Sequence, residues 1–161
     1  MNKFSDSTTE IISYNDDLKE MLKIINYEWL EKYFQVTKLD KKAFDNPKEE
    51  IIDKDGYIYF ARFNGEIVGS IALEKLSEKQ FVLSRFGVKS GFQGKKIGKL
   101  LMDKVMEKAN ELKIASIILY TNHVLINALN MYYRYGFKAV PMDDVPYKRA
   151  SIKMEFRFNT D

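Results

Sequence analysis

Residues 81–120 read FVLSRFGVKSGFQGKKIGKLLMDKVMEKANELKIASIILY, and their pattern decides the fold. Residues 81–88 read as a strand, and Gly87 near its end predicts a bulge or a close backbone approach. Residues 91–112 open on glycines and then set Ile97, Leu101, Val105, Ala109 and Leu112 along one face of a helix. Residues 114–120, rich in Ile, read as a buried strand. Strand, helix, strand is a βαβ unit, so the two strands run parallel with a right-handed crossover between them.

The flanks extend this unit into a mixed sheet. Upstream, residues 56–63 and 66–73 carry β patterns on either side of Asn64-Gly65, a dipeptide that tolerates the positive φ of a tight hairpin turn. A second turn at 77–79 leads into the 81–88 strand, making three antiparallel strands in a row. Before the hairpin, residues 11–14 form a short strand, and Asn15 or Asp16 caps a helix with Leu18, Met21, Leu22, Ile25, Trp29 and Tyr33 at helical spacing. A weaker helical stretch over 40–53 is broken at Asn46-Pro47. Downstream, Asn122 caps a helix whose buried stripe is Leu125, Ala128, Leu129 and Tyr132, and Gly136 ends it in the left-handed conformation. A short strand at 137–140, a loop at 141–146, and Ile152, Met154, Phe156 and Phe158 alternating with polar residues complete the chain. The reading is an α/β (α+β) chain with a mixed, mostly antiparallel sheet of six to seven strands and about four helices. With no repeat or linker, 1–161 is a single domain.

Composition narrows the chemistry. At 161 residues, with 45% hydrophobic and 30% charged residues, the chain can bury a core without covalent staples. It has no cysteine and a single histidine, His123, which excludes disulfide scaffolds, thiol nucleophiles and Cys- or His-rich metal centres. The net charge of +3 comes from 26 basic and 23 acidic residues, and Asp103 and Glu107 interrupt the one basic helix, so nucleic acid is not implied. The polar start of the chain and the lack of an apolar run near ~18 residues predict a cytoplasmic protein with no membrane partner.

Gln93-Gly94-Lys95-Lys96-Ile97-Gly98-Lys99 follows a strand and opens a helix. The first amides of a helix lack intrahelical partners and the dipole adds partial positive charge, so such a turn suits a phosphate or pyrophosphate. The two common phosphate loops do not fit. Gly94 and Gly98 stand too close for a Walker loop, where Lys99 would also need a following Ser or Thr, and the dinucleotide Gly-x-Gly-x-x-Gly is absent.

The segment instead resembles the acetyl-CoA loop of the GNAT family, the GCN5-related N-acetyltransferases: Gln or Arg, two residues, Gly, one residue, then Gly or Ala. Gln93 and Gly98 match, while Lys96 stands where the family has glycine. A second match is Ala128-Leu129-Asn130-Met131-Tyr132-Tyr133-Arg134-Tyr135-Gly136-Phe137, similar to the family's Ala-Ile-x-Leu-Tyr-x-Lys-x-Gly-Phe. The resemblance implies the GNAT fold, acetyl-CoA as cosubstrate and transfer of its acetyl group to a primary amine of a small molecule or peptide. It places Phe86, Gly87 and Val88 on the strand that meets the pantetheine arm, with an amide near Val88 facing the thioester oxygen. Gln93, Gly94, Lys95, Lys96, Ile97, Gly98 and Lys99 would hold the phosphates, joined by Asn127 or Asn130. Tyr132 falls at the family's proton-donor position, and a phenol near its ordinary pKa of about 10 can serve a thiolate without a strong shift. Many members carry a glutamate base on the donor strand, at the position that is Val82 here. The base is then Glu28 on the first helix, or ordered water, or is unnecessary where the acceptor amine has a low pKa; Trp29 and Tyr33 would wall an acceptor pocket, with Tyr147 and Arg149 bounding it. His123 reads as a cap or surface residue. Members of the family often pair, which allows a homodimer. The alternative is a GNAT-fold module that binds acyl-CoA without useful turnover.

Overall fold

The βαβ unit lies at the centre of the computed structural model, which describes residues 8–144 and 148–159. Seven strands form one sheet: β1 (Thr9–Ser13), β2 (Tyr57–Phe63), β3 (Glu66–Lys75), β4 (Gln80–Val88), β5 (Ser116–Thr121), β6 (Lys138–Val140) and β7 (Ile152–Arg157). Their order is β1-β2-β3-β4-β5-β7-β6, and every pairing is antiparallel except β4 with β5. The helices are α1 (Lys19–Tyr33), α2 (Lys38–Asp45), α3 (Pro47–Glu50), α4 (Ile97–Leu112) and α5 (Ile126–Tyr135). Among the described residues five α-helices stand where about four helices were expected, because Asn46-Pro47 splits the 40–53 stretch: Pro47 restarts the chain as a one-turn helix at the first position, where its missing N–H costs nothing.

Local chemistry accounts for the boundaries. Thr37 caps α2 in a reciprocal box with Asp40, and Gly136 ends α5 at φ +100°. The β2–β3 turn carries positive φ at both Asn64 (49°) and Gly65 (86°), as the primed hairpin turn demands. The helix predicted over 91–112 starts only at Ile97, since Gly91, Gly94 and Lys96 all have positive φ and hold 91–96 as a loop. Asn122 does not cap α5. Its Oδ1 accepts from the Val124 N–H at 2.9 Å in a local turn, and the helix begins at Ile126.

Strand alternation divides the core. Ile71, Leu73, Phe81 and Leu83 turn to one face and pack with Ile97, Leu101, Met102 and Val105 of α4 and with Tyr132 of α5. Ile58, Phe60 and Ala72 turn to the other face, beneath Leu22, Ile25 and Leu30 of α1 and Phe44 of α2. Among the described residues no helix is long and apolar enough to cross a membrane.

Two irregularities of β4 position the site. The β3–β4 register runs Ala72 with Ser84 and Ser70 with Gly87, so Ile71 faces both Arg85 and Phe86 in a bulge. Arg85, not Gly87, carries the bulge's left-handed backbone, at φ 50°. Gly87 serves the close approach instead: a Cβ there would stand 3.1 Å from the Trp29 indole. The parallel ladder of β4 with β5 spans only Gln80–Ser116 to Val82–Ile118, after which the two strands part.

Candidate active site

The gap between the parted strands leads to the loop at 91–96. Gln93 Nε2 donates to the Val88 carbonyl at 3.3 Å and ties the loop to the end of β4. Lys96, left-handed at φ 64°, precedes α4 without giving it a side-chain cap, so the helix opens on uncapped amides. Around Gly91 and Gly94 an added Cβ would meet nothing within 4 Å, whereas at Gly98 it would come within 3.2 Å of Met131 and 3.3 Å of Phe86. The loop is therefore open outward while the first turn is pressed onto the core, the form a backbone cradle for a polyanion takes. Lys95 lies over the Phe63 ring at 5.7 Å, and Lys99 pairs with Asp103 at 2.8 Å.

Tyr132 faces this gap from α5. Its ring packs 6.0 Å from Phe86 and 5.9 Å from Phe137, and its hydroxyl has no hydrogen-bond partner among the described residues. Burial pushes the phenol well above its ordinary value, a correction to the expectation of no strong shift. The phenol therefore stays protonated at neutral pH and is a weaker acid than an ordinary tyrosine.

Across the sheet, the parting of β4 and β5 opens a cavity of about 450 Å³ beneath α1 and α2, whose walls include Trp29, Phe34, Phe44, Glu74, Arg85 and Arg149. The bulge makes one wall polar. Strict alternation would turn Arg85 toward α4 with Phe81 and Leu83, but the extra residue turns it to the same side as Ser84. Both then reach Glu74 Oε2 on β3, Ser84 Oγ at 2.6 Å and Arg85 Nη1 at 2.6 Å. A buried chain of hydrogen bonds holds that turn: Trp29 Nε1 donates to Asn26 Oδ1 (3.0 Å), Asn26 Nδ2 to Ser70 Oγ (2.9 Å), and Ser70 Oγ to the Arg85 carbonyl (2.7 Å). On the opposite wall Arg149 grips Asp40 with both Nη atoms, at 2.9 and 2.7 Å. Burial pushes the Asp40 carboxyl up, yet the bonds from Arg149 and Thr37 outweigh it and hold the group below the usual carboxylate range.

The family model for the acetyltransferase (GNAT) family matches residues 23–137. The chain belongs to the GNAT family. A GNAT acetyltransferase of Staphylococcus aureus Mu50 is 26% identical and superposes with a TM-score of 0.86 over 93% of this chain and 99% of that one. An acetyltransferase of Streptococcus agalactiae 2603 is 25% identical, with a TM-score of 0.81 over 93% and 98%. The PaiA N-acetyltransferase of Thermoplasma acidophilum, solved with coenzyme A, shares the fold at 19% identity, with a TM-score of 0.73 over 94% and 99%. No curated protein matches the chain.

Set in a GNAT chain, the residues anticipated from sequence fall into three groups. Phe86 packs against Tyr132 and close to Gly98, and Gln93 bonds the Val88 carbonyl, so these residues stand together at the end of β4. Trp29 and Arg149 line the cavity on the other face. The third group is not among the residues that line the cavity. Glu28 accepts from the Ser90 N–H at 2.8 Å and points to the loop after β4, because one residue along a helix is a turn of about 100° away from Trp29. Tyr33 is 45% exposed, and Asn127 and Asn130 are exposed on α5. Tyr147 lies outside the described residues. His123 is exposed and pairs its Nδ1 with Ser151 Oγ at 2.8 Å, a surface role as expected. Sequence reading missed Asn26, Asp40, Ser70, Glu74, Ser84 and Arg85. The one available signal was Glu74 itself: in the β3–β4 register it stands opposite Val82, so the carboxylate absent from β4 is present on the neighbouring strand.

Proposed function

We propose that this chain is an acetyl-CoA-dependent N-acetyltransferase that acts on a primary amine of a small molecule or peptide by direct attack on the thioester. The observation that carries the reading is the joint placement of the β4–β5 gap, the uncapped start of α4 and the Tyr132 hydroxyl on one side of the sheet, with a separate cavity reaching the same gap from the other side. Acetyl-CoA supplies the activated acyl carbon and a thiol leaving group. The protein supplies the surroundings. The 91–96 loop and first amides of α4 bind the phosphates, with Lys95 and Lys96 adding charge. Backbone groups from Phe86 to Val88, freed from pairing with β5, hold the pantetheine arm, and an N–H beside the bulge faces the acyl oxygen as negative charge grows there. Tyr132 gives its proton to the departing sulfur and excludes water from it by packing against Phe86. Binding and turnover are tested separately. Acetyl-CoA and desulfo-CoA at ~100 times the dissociation constant should each stabilise the fold by about 2.7 kcal/mol, with ATP far behind. Thiol release that depends on an added amine then distinguishes the transferase from a module that only binds acyl-CoA. No stabilisation by either CoA compound overturns the reading.

A further inference from the structure

Within the transferase reading, on which this inference rests, the acceptor's chemistry follows from the polar groups of the cavity under α1 and α2. They form two pairs that differ in one respect. Asp40 is fully used: Oδ1 takes Arg149, and Oδ2 takes Arg149, the Thr37 N–H (2.9 Å) and the Thr37 hydroxyl (3.0 Å). Glu74 and Arg85 are half used. Both hydrogen bonds to Glu74 end on Oε2, which leaves Oε1 without a partner among the described residues. Arg85 spends only Nη1, on Glu74 and on Ser84 Oγ (2.9 Å), and its buried Nε has no partner.

Arg85 is 8% exposed, and its guanidinium rests on the Phe44 ring at 5.2 Å. A cation so deep, held by one carboxylate oxygen, is costly unless a further acceptor completes its bonds. The bulge that turns it inward has its own cost, since Arg85 adopts a left-handed backbone that L-residues avoid. Both costs fall on one residue, and it lines the cavity. The rest of the lining is chiefly apolar, with Trp29, Phe34, Phe44, Leu76 and Leu125, and the volume of about 450 Å³ suits one small molecule.

We propose that Glu74 and Arg85 form the polar end of an acceptor site for an α-amino group, that of an amino acid or peptide amino terminus with an apolar side chain. Glu74 Oε1 takes an N–H of the amine. The unused Nη2 of Arg85 takes the carboxylate or carbonyl oxygen one carbon away. The apolar side chain lies against Trp29, Phe34 and Phe44. Glu74 also receives the first proton: the ammonium gives it up to Glu74, which passes it to solvent. The C–N bond then forms as the C–S bond breaks, the nitrogen sheds a second proton, and the sulfur takes one from Tyr132, which that second proton replaces. Each turnover yields one N-acetyl product, one thiol and one proton.

The test needs no variant to begin. Thiol release from acetyl-CoA is measured with L-leucine and L-phenylalanine, with leucinamide and leucyl-glycine, and with 3-methylbutylamine and 2-phenylethylamine, which keep the side chain and amine but lack the oxygen. A site built to bond that oxygen should prefer the first compounds over the bare amines by on the order of 10²-fold or more in kcat/KM. Leucine above leucinamide and leucyl-glycine points to free amino acids, and the reverse to peptide termini. Glu74→Gln should then lower kcat by roughly 10²-fold, while acetyl-CoA still raises the unfolding midpoint. Arg85→Lys, which keeps the charge but loses the fork, should shrink the preference for the oxygen-bearing compounds. Bare amines turned over equally well, no panel member turned over by a protein that binds acetyl-CoA, or Glu74→Gln with unchanged kcat each overturn the acceptor assignment alone. Absence of any acetyl-CoA effect on stability overturns the transferase reading, and this inference with it.

Discussion

Replacing Ser70 with alanine removes one hydroxyl from the chain of hydrogen bonds that fixes the β4 bulge. Both Ser70 and Asn26 are 0% exposed, so water cannot stand in. The hydroxyl does two things: it accepts from Asn26 Nδ2 at 2.9 Å and donates to the Arg85 carbonyl at 2.7 Å. Asn26 Nδ2 keeps its other bond, to the Leu22 carbonyl at 2.8 Å, so it loses one of two partners, while the Arg85 carbonyl loses its side-chain donor. Each buried group left short costs about 1–3 kcal/mol, so the two together should cost about 3 kcal/mol. For a domain of this size that lowers Tm by about 6–12 °C. Urea unfolding gives the free energy directly, and an unchanged m-value shows that the loss is in stability alone. Acetyl-CoA should also bind more weakly, since the bulge no longer holds the Phe86 backbone in place. In the double variant Asn26→Leu with Ser70→Ala, the loss should fall short of the sum of the two singles, because removing both partners leaves fewer orphans. Ser70→Ala within about 0.5 kcal/mol of the parent refutes the argument, for it would mean that the Arg85 carbonyl does not depend on that hydroxyl.

Three further outcomes follow from the same geometry. Arg149→Met leaves the Asp40 carboxylate buried without its cation and should cost about 3–5 kcal/mol at pH 7. In the parent, Asp40 sits below the usual range, so its contribution is present above the unfolded value near pH 4 and lost as pH falls through the lower folded value; in the variant burial prevails, and unfolding curves should show stability rising on acidification from pH 7 to 5. Lys96→Gly relieves a left-handed L-residue at φ 64° and should raise stability by up to about 1 kcal/mol in a thermal melt; a loss would show that the side chain holds the loop. Tyr132→Phe keeps the ring packing, so the acetyl-CoA shift in Tm should persist while kcat falls by roughly 10²-fold or more, and the parent's kcat should show no limb from this phenol below about pH 10, because burial raises it. An unchanged kcat would reduce Tyr132 to a packing residue.

The parts legible in the sequence were those set by local rules. Asn64-Gly65 specifies its hairpin, the βαβ pattern specifies one parallel pairing in an otherwise antiparallel sheet, and the loop glycines with the Tyr132 helix mark the proposed cosubstrate side. The acceptor side was not legible, because its groups meet across strands: Asn26 and Ser70 are 44 residues apart, and Arg149 and Asp40 are 109 apart. The bulge shows why periodicity fails there. A glycine is the residue expected to carry an irregular backbone, so Gly87 drew the prediction, whereas Arg85 takes the left-handed conformation and Gly87 leaves room for the indole. With that single extra residue, Arg85 exchanges one face of the sheet for the other, and no reading by alternation would have set it beside Glu74.

The hydrogen bonds from Trp29 through Asn26 and Ser70 to the Arg85 carbonyl also have a mechanical meaning. They join a wall of the cavity, the proposed amine pocket, to the backbone proposed to handle the acyl group, with Gly87 pressed against the same indole. Pocket shape and reaction geometry are therefore not separable degrees of freedom in this molecule. An acceptor bulky enough to displace Trp29 would pull on the bulge as well, so under the proposed function oversized amines should lose kcat as well as raise KM. Enlarging the pocket by trimming Trp29 would slacken the catalytic strand with it, and redesign toward larger amines would do better to begin at Leu76 or Leu125, which line the cavity but belong to no link of that chain.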